Sequence, residues 1–427
     1  MVKEQSFWFR IGSDKERPIY KTGEPGSVLD VSAFQLGDLD GTPGTEFARF
    51  RSLGNRQHGF DMNVRYAVIG HPPGSLRSIL LEEIVVGNIS NEDLNGNGQL
   101  DTTEDRNQNG KLDLGFDIPF HLFQFNDFNL SGSRPTDFTV NTGNIGRMVQ
   151  HSGIRGEINL TADVLRGYVA PSRFDVAHPS FILGLLKDGF FQDLGNRGCC
   201  GVDGDIGWAW QWDFPLTPTG PTMSKTIRIL YEISGVSDPF FVSDATTLVD
   251  FVNANYQHYL GQDSDLAGLS VHLGDLRLGR QRSSIVASFV DSVAYKNRVP
   301  GDEFLRKLYR DILGRDPDPI GLASWRETLA AGRSRSSVVD AFLDSMEFKA
   351  ILSNQAYVLQ LYWRFLGRAP DFAGFSGWVQ SLQAGTPRST IRKAFFDSQE
   401  FGRRAIDPLK VTMVKSILGW EFYPVIN

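Results

Sequence analysis

Residues 308–318, Leu-Tyr-Arg-Asp-Ile-Leu-Gly-Arg-Asp-Pro-Asp, return 53 positions later as Leu-Tyr-Trp-Arg-Phe-Leu-Gly-Arg-Ala-Pro-Asp. The register then runs without a gap. Gly321 meets Gly374, Trp325 meets Trp378, Gly332 meets Gly385, Phe342 meets Phe395, and Ser345, Glu347 and Phe348 meet Ser398, Glu400 and Phe401. One step further back lies a diverged copy. There Tyr256, Leu260, Gly261, Asp265 and Gly268 fall on Tyr309, Leu313, Gly314, Asp318 and Gly321, and Arg282, Ser283, Phe289, Asp291 and Ser292 continue the match. Gln262, Ser264 and His272 replace the Arg, Pro and Trp. Three repeats therefore occupy 243–296, 297–349 and 350–402. A period of this size marks supersecondary units that stack because none buries its apolar face alone.

Local signals draw each unit as helical. A first helix ends at Leu-Gly, with the glycine as its C-terminal cap. A Pro-Asp turn follows, and Asp318 or Asp371 is placed to cap the second helix, which carries the Trp. Ser-Arg-Ser/Thr opens a third helix containing Phe342 or Phe395. Polar residues that recur in register are most simply fold elements. Arg315, Asp318 and Glu347, with Arg368, Asp371 and Glu400, are therefore expected as caps, ion pairs or helix stops. The alternative is a ligand groove, or a further calcium site at the Asp-rich turn.

Residues 1–235 read differently. Short β-type runs such as Phe7–Ile11, Phe60–Ile69, Ile79–Val86, Phe120–Phe128 and Asp205–Phe214 are punctuated by Gly, Pro, Asn and Asp. Asp61–Val68 alternates polar and apolar positions as a half-buried strand should. Trp208, Trp210 and Trp212 sit at every second position, as one packed sandwich face or as a surface that stacks on sugar rings. Strands and helices do not alternate, so a parallel sheet is excluded and an antiparallel β-sandwich is expected. The predicted order is multidomain, β then α: a sandwich over 1–235 with a calcium-loop insertion at 91–117, a linker at 236–242, an all-α three-repeat domain at 243–404, and a tail at 405–427.

The insertion carries the sharpest chemical signal. Asp93, Asn95 and Asn97 occupy places 1, 3 and 5 of a twelve-residue calcium loop, with Gly98 at the sharp turn of place 6. Gln99 offers its backbone carbonyl, Asp101 fills place 9, and Glu104 can bind through both oxygens at place 12. A second loop starts at once with Asp105, Asn107, Asn109, Lys111 (backbone carbonyl only) and Asp113. Its place 12 is Phe116, and Asp117 is the available substitute. Calcium takes six to eight hard oxygens, and this spacing wraps them about one point. The loops abut, so no helix pair can open between them, and a structural role is expected over a switch.

The tandem Asp/Asn-Gly pattern resembles the calcium repeats of extracellular proteins, such as thrombospondin type 3 repeats and dockerin-like loops. Phe120–Leu130 and Gly207–Phe214 resemble, weakly, segments of bacterial secreted β-sandwich domains. The helical half resembles the bacterial domain-of-unknown-function 4214 repeats through Leu-Tyr-x3-Leu-Gly-Arg-x-Pro-Asp-x2-Gly-x3-Trp, met in full at Leu308–Trp325 and Leu361–Trp378. That resemblance implies a fold similar to the helical phycobilisome linker domain, and an assembly or attachment role without chemistry.

Other function classes are excluded on simple grounds. A net charge of −7 lacks the basic field that neutralises phosphates, so nucleic acid is not an expected partner. No apolar run approaches the roughly 20 residues of a membrane-spanning helix. No signal peptide is visible at Met1–Gln5, which leaves a truncated start as the expectation if the chain is exported. Cys199 and Cys200, the only two cysteines, are either a vicinal disulfide or two thiols in a Gly-rich loop. No nucleophile elbow, phosphate loop, dinucleotide fingerprint or zinc-protease motif is present, so no enzyme is expected. The chain therefore reads as an extracellular or cell-surface, Ca2+-stabilised structural or adhesion protein. Its partners would be other surface or matrix proteins or further copies of itself. The alternative is a carbohydrate-binding protein with a lectin-like sandwich.

Overall fold

The computed structural model describes residues 2–11, 30–37, 47–54, 59–69, 77–91, 115–128, 138–141, 146–151, 158–165, 167–187, 193–197, 202–203, 206–235 and 244–404. The chain divides into two compact units, Met1–Thr246 and Thr247–Asn427.

The first unit is two antiparallel sheets with a shared core. One has the strand order β1 (Val2–Ile11), β6 (Ile118–Phe128), β12 (Gly207–Leu216), β10 (Arg173–Ala177). The other runs β11 (Val202–Asp203), β7 (Phe138–Asn141), β8 (Arg147–His151), β9 (Ile158–Val164), β13 (Ser224–Gly235), β5 (Arg77–Asn88), β4 (Phe60–Ile69), β3 (Phe47–Gly54), β2 (Asp30–Gly37). Alternation along each strand sends one set of side chains between the sheets. Phe9, Phe120, Leu122, Trp208, Trp210 and Trp212 come from the first sheet, and Phe60, Val64, Ile84, Ile229 and Tyr231 from the second. The first sheet is apolar on its other face as well. Trp8, Phe123, Phe125 and Ala209 pack there with Ile182 and Leu186 of α1 (Pro179–Lys187). This explains why β6 is buried at nearly every position, where a sandwich strand solvated on one side would alternate.

The second unit repeats one helical plan. Left-handed Gly261, Gly314 and Gly367 end the first segment of each repeat, at φ of 70°, 68° and 58°. That segment is α-helical in the second repeat, as α6 (Gly301–Leu313), and ends in a π-helical turn in the others, at Tyr256–Leu260 and Tyr362–Leu366. Asp265, Asp318 and Asp371 then cap α3 (Leu266–Arg277), α7 (Pro319–Ala330) and α11 (Phe372–Gln383), accepting from the N–H of Gly268, Gly321 and Gly374 at 2.7, 2.8 and 2.8 Å. Those glycines are required. A Cβ on any of them would collide with the hydroxyl of Tyr256, Tyr309 or Tyr362. Each tyrosine in turn meets the repeat's phenylalanine edge-on, with centroids 5.0 Å apart in all three copies.

The third helices are α4 (Arg282–Asp291), α8 (Arg335–Asp344) and α12 (Arg388–Phe396), each followed by a short fourth helix, α5 (Val293–Arg298), α9 (Met346–Ile351) and α13 (Gln399–Arg404). Asp291 accepts the backbone N–H and hydroxyl of Ser336, at 3.2 and 2.5 Å. Asp344 receives the same pair from Ser389, at 3.0 and 2.6 Å. Asp397 receives it from Ser283, at 2.8 and 2.6 Å. A carboxylate at the C-terminal end of its own helix is disfavoured by that dipole, and here each instead serves the N-terminus of the next helix. The third contact returns from the last repeat to the first. The array is thus a closed three-membered ring, not the open stack that the period suggests. A 53-residue period is the same in both, and the difference lies in the rotation between units.

Candidate functional site

The calcium candidates Asp93, Asn95, Asn97, Gln99, Asp101, Glu104, Asp105, Asn107, Asn109, Lys111 and Asp113 lie outside the described residues, as do Cys199 and Cys200. Asp117 is described, and is exposed on the segment entering β6. The two ends of the insertion are held side by side. Asn88 Nδ2 donates to the carbonyls of Phe116 (2.8 Å) and Leu216 (3.1 Å), and its Oδ1 accepts the N–H of Ser90. Phe116 N–H donates to Ser90 Oγ at 3.0 Å. Gly115, at φ 83°, leaves no room for a side chain, since a Cβ there would lie 2.5 Å from Pro218 and 3.0 Å from Asn91. Asn91 and Gly115, the described residues that flank 92–114, therefore lie side by side.

A second cluster, absent from the sequence reading, sits on the α1-covered face of the first sheet. His121 of β6 and Asp213 of β12 are register partners, and Arg10 of β1 is His121's partner on the other side. Nδ1 of His121 lies 2.5 Å from Asp213 Oδ1, which assigns its proton to that bond. Asp193 joins them, bonded by Arg10 at 2.6 Å. Buried Gln211 is the hub. Its Oε1 accepts the Leu194 N–H at 2.8 Å, and its Nε2 points between Asp193 and Asp213, 2.8 Å from each. Asp193 reaches this place because the loop 193–197 wraps buried Asp175, which accepts the N–H of Gly195 and Arg197. Burial pushes Asp213 and Asp193 upward. The bonds from His121 and Gln211 in the first case, and from Gln211 and Arg10 in the second, outweigh it and hold both below the ordinary carboxylate value.

One ligand atom from each of His121, Asp193 and Asp213 falls within 4.8 Å of the others, a metal-like spacing. The donors already present argue against a metal. Leu194 fixes the Gln211 amide, so N–H groups point to where an ion would sit, and Arg10 supplies the positive charge. Arg10 and Arg173 balance Asp193 and Asp213, and the cluster ties a loop to the sheet. Arg10 lies 183 residues from Asp193 and His121 lies 92 from Asp213, so the tertiary fold brings them together.

A third polar group spans the sandwich. Glu82 is fully buried and accepts from Tyr66, Tyr231 and Gln124, each at 2.8 Å, and from Gln5 at 3.3 Å. Its neighbour Glu83 points the opposite way, to Arg228 (2.6 Å) and Arg65. Burial pushes Glu82 above its ordinary value of 4.5, although its four donors pull it down. A carboxyl that keeps its proton better in the fold stabilises the fold fully only at low pH. As pH rises past 4.5 the unfolded chain ionises first, and stability falls until the folded group ionises too. Glu82→Gln should remove that fall. Melting scans between about pH 4 and 8, at fixed calcium, should show the variant gaining on wild type by a few degrees toward the alkaline end. Parallel curves would remove Glu82 from the pH dependence.

The recurrent polar residues of the repeats have structural partners. Arg315 forks onto Glu347 at 2.5 and 3.0 Å, lies over Tyr309 at 4.9 Å, and reaches Asp318 at 3.6 Å. Arg368 does the same with Glu400, Tyr362 and Asp371. The first repeat has Gln262 and Ala294 at these positions, so both halves of the ion pair are missing together. There Arg298 caps the first segment, donating to the carbonyls of His258 and Tyr259 at 2.8 Å. Trp208, Trp210 and Trp212 are wholly buried between the sheets, which rules them out as a sugar platform. Among the described residues, no helix is long and apolar enough to cross a membrane.

The chain is a sandwich-like unit followed by helical repeats, and a family match lies in the helical repeats. Residues 293–352 and 350–405 match the family described as Domain of unknown function (DUF4214). The first segment contains α5–α9 and the second contains α10 (Asn354–Leu361) and the helices on to α13, so the match covers the last two repeats. No curated protein matches the chain.

Proposed function

We propose that this is a secreted or cell-surface protein whose β unit is stabilised by calcium at 93–117 and whose helical repeats serve assembly or attachment, without chemistry of their own. The reading is carried by one observation. A segment with the oxygen spacing of two calcium loops is inserted at a single pinned point, between Asn88–Ser90 and Gly115–Phe116. An insertion of this kind orders itself around an ion more readily than around an apolar core. Loops in extracellular modules bind calcium at about 10⁻⁴–10⁻³ M, far above what the cytosol offers, and this places the protein outside the cell. The recurrent carboxylates of the repeats are engaged as caps and ion pairs, which leaves the ring as a recognition surface. A glycan-binding role would need residues other than the three buried tryptophans.

The test is thermal unfolding in millimolar calcium against excess chelator, with titration calorimetry. Millimolar calcium is about 1 to 10 times a Kd of 10⁻⁴–10⁻³ M, which should add about 0.4–1.4 kcal/mol per site. Asp93→Ala should remove the first site's share and Asp105→Ala the second's. No shift in melting and no heat of binding would overturn the proposal.

A further inference from the structure

The ring is built from one interface used three times. At each corner an Asp ending one third helix is held by a Ser two residues into the next: Asp291 with Ser336, Asp344 with Ser389, Asp397 with Ser283. An arginine beside each Ser closes the corner. Arg335 donates to the Val299 carbonyl at 2.8 Å, and Arg388 to that of Leu352, exactly one period on, at 2.5 Å. Arg282 takes the same place at the third corner, where a Cβ on Gly402 would come within 2.6 Å of its guanidinium.

The corners differ in one respect. The first two join repeats that are consecutive in the chain. The third joins the last repeat to the first, and no peptide link between those two repeats holds it. The last repeat is attached only through Leu352–Ser353, two extended residues between α9 and α10 (Asn354–Leu361), at φ/ψ of −130°/123° and −66°/159°. The family match divides at the same place, 350–352, so the piece beyond this hinge is one whole repeat.

We infer that the part of the third repeat beyond this hinge, 354–404, exchanges between two copies of this chain. In the exchanged dimer each ring holds the first two repeats of one copy and the third of the other. Every Asp–Ser contact and the Arg335–Val299 contact are kept, while Arg388 meets the Leu352 carbonyl at the point where the chain changes path. Because the contacts are the same, concentration decides between the closed monomer and the dimer. Chains held densely on a surface would favour the dimer. The partner is therefore a second copy of this chain. The inference deepens the assembly role proposed above and rests on it, while the calcium transition of the β unit reads out separately.

The test uses two full-length variants, Asp397→Ser and Ser283→Asp. Alone, the first faces serine with serine at the third corner and the second faces aspartate with aspartate. Exchanged with each other, they form one native corner and one of reversed polarity. Each is unfolded, refolded alone or as an equal mixture, and weighed by native mass spectrometry. The expected result is more dimer, carrying one copy of each variant, from the two together than from either alone at the same concentration. Wild type in light and 15N-labelled forms, refolded together, should give a mixed dimer whose fraction rises with concentration. Monomer alone in both mixtures, or as much dimer from a single variant as from the pair, would overturn the inference.

Discussion

Arg388→Ala should lower the melting temperature of the helical unit by on the order of 10 °C, from a loss of about 3–5 kcal/mol. The guanidinium is 1% exposed and has no carboxylate among its hydrogen-bond acceptors. It donates to the carbonyls of Phe348 (3.2 Å) and Leu352 (2.5 Å) and to Asn354 Oδ1 (3.0 Å), and lies over Phe348 and Tyr357 at 5.2 and 5.0 Å. Burial pulls its proton affinity below the ordinary arginine value, so the fold works against desolvation to keep the charge there. Truncation removes the donor from the Leu352 carbonyl, leaves the Phe348 carbonyl with the Leu352 N–H alone, and opens a cavity between two rings. Arg388→Lys should recover little, because one ammonium cannot fork to three acceptors. Arg315→Ala is the control. Its ion pair is exposed, and its loss should cost less than about 1 kcal/mol. Circular dichroism melts at 222 nm compare the three, and equal losses at 388 and 315 would show that the buried corner is not what holds the ring.

Trp210→Ala should be as severe in the β unit, at about 3–5 kcal/mol. The side chain is fully buried, with Trp208 at 6.3 Å and Trp212 at 6.0 Å, both edge-on. Removing the middle ring takes an edge-on contact from each neighbour and opens a void in the shared core of the two sheets. Trp210→Phe keeps part of the ring contact and should cost less than half as much. Calorimetry and near-ultraviolet circular dichroism follow the loss. A shift within about 0.5 kcal/mol would be that of a surface residue, and would mean that the strand does not face the second sheet.

Much of the helical unit was legible because the chain states it more than once. Asp318 and Asp371 could be read as caps, since the cap, its glycine and the preceding left-handed glycine all lie within eight residues. Arg315 and Glu347 could be marked as fold elements but not as partners, being 32 residues apart. A signal for the pairing existed in the paired loss at Gln262 and Ala294. The short fourth helices, capped by Ser292, Ser345 and Ser398, were within reach of the same reasoning. In the β unit, alternation located β4 and β12 and sent the three tryptophans inward, while β6 was legible only as a β-type run. It did not reveal that β6 is covered on both faces, because the cover is α1, more than 50 residues along the chain.

What the chain encodes is the character of its two parts, the caps and the oxygen spacing of the candidate calcium ligands at 93–113. All of these are local, set by residues within one or two turns of each other. Tertiary structure alone decided three things. It closed the ring, because Asp397 and Ser283 are 114 residues apart and the period is blind to rotation between units. It gave adjacent Glu82 and Glu83 opposite fates, one among tyrosines and amides and the other between arginines, because the pleat turns neighbours to opposite faces whose lining comes from distant strands. And it assembled His121, Asp193 and Asp213 with Arg10 and Gln211, because strand register carries side chains to a common point that no spacing along the chain encodes.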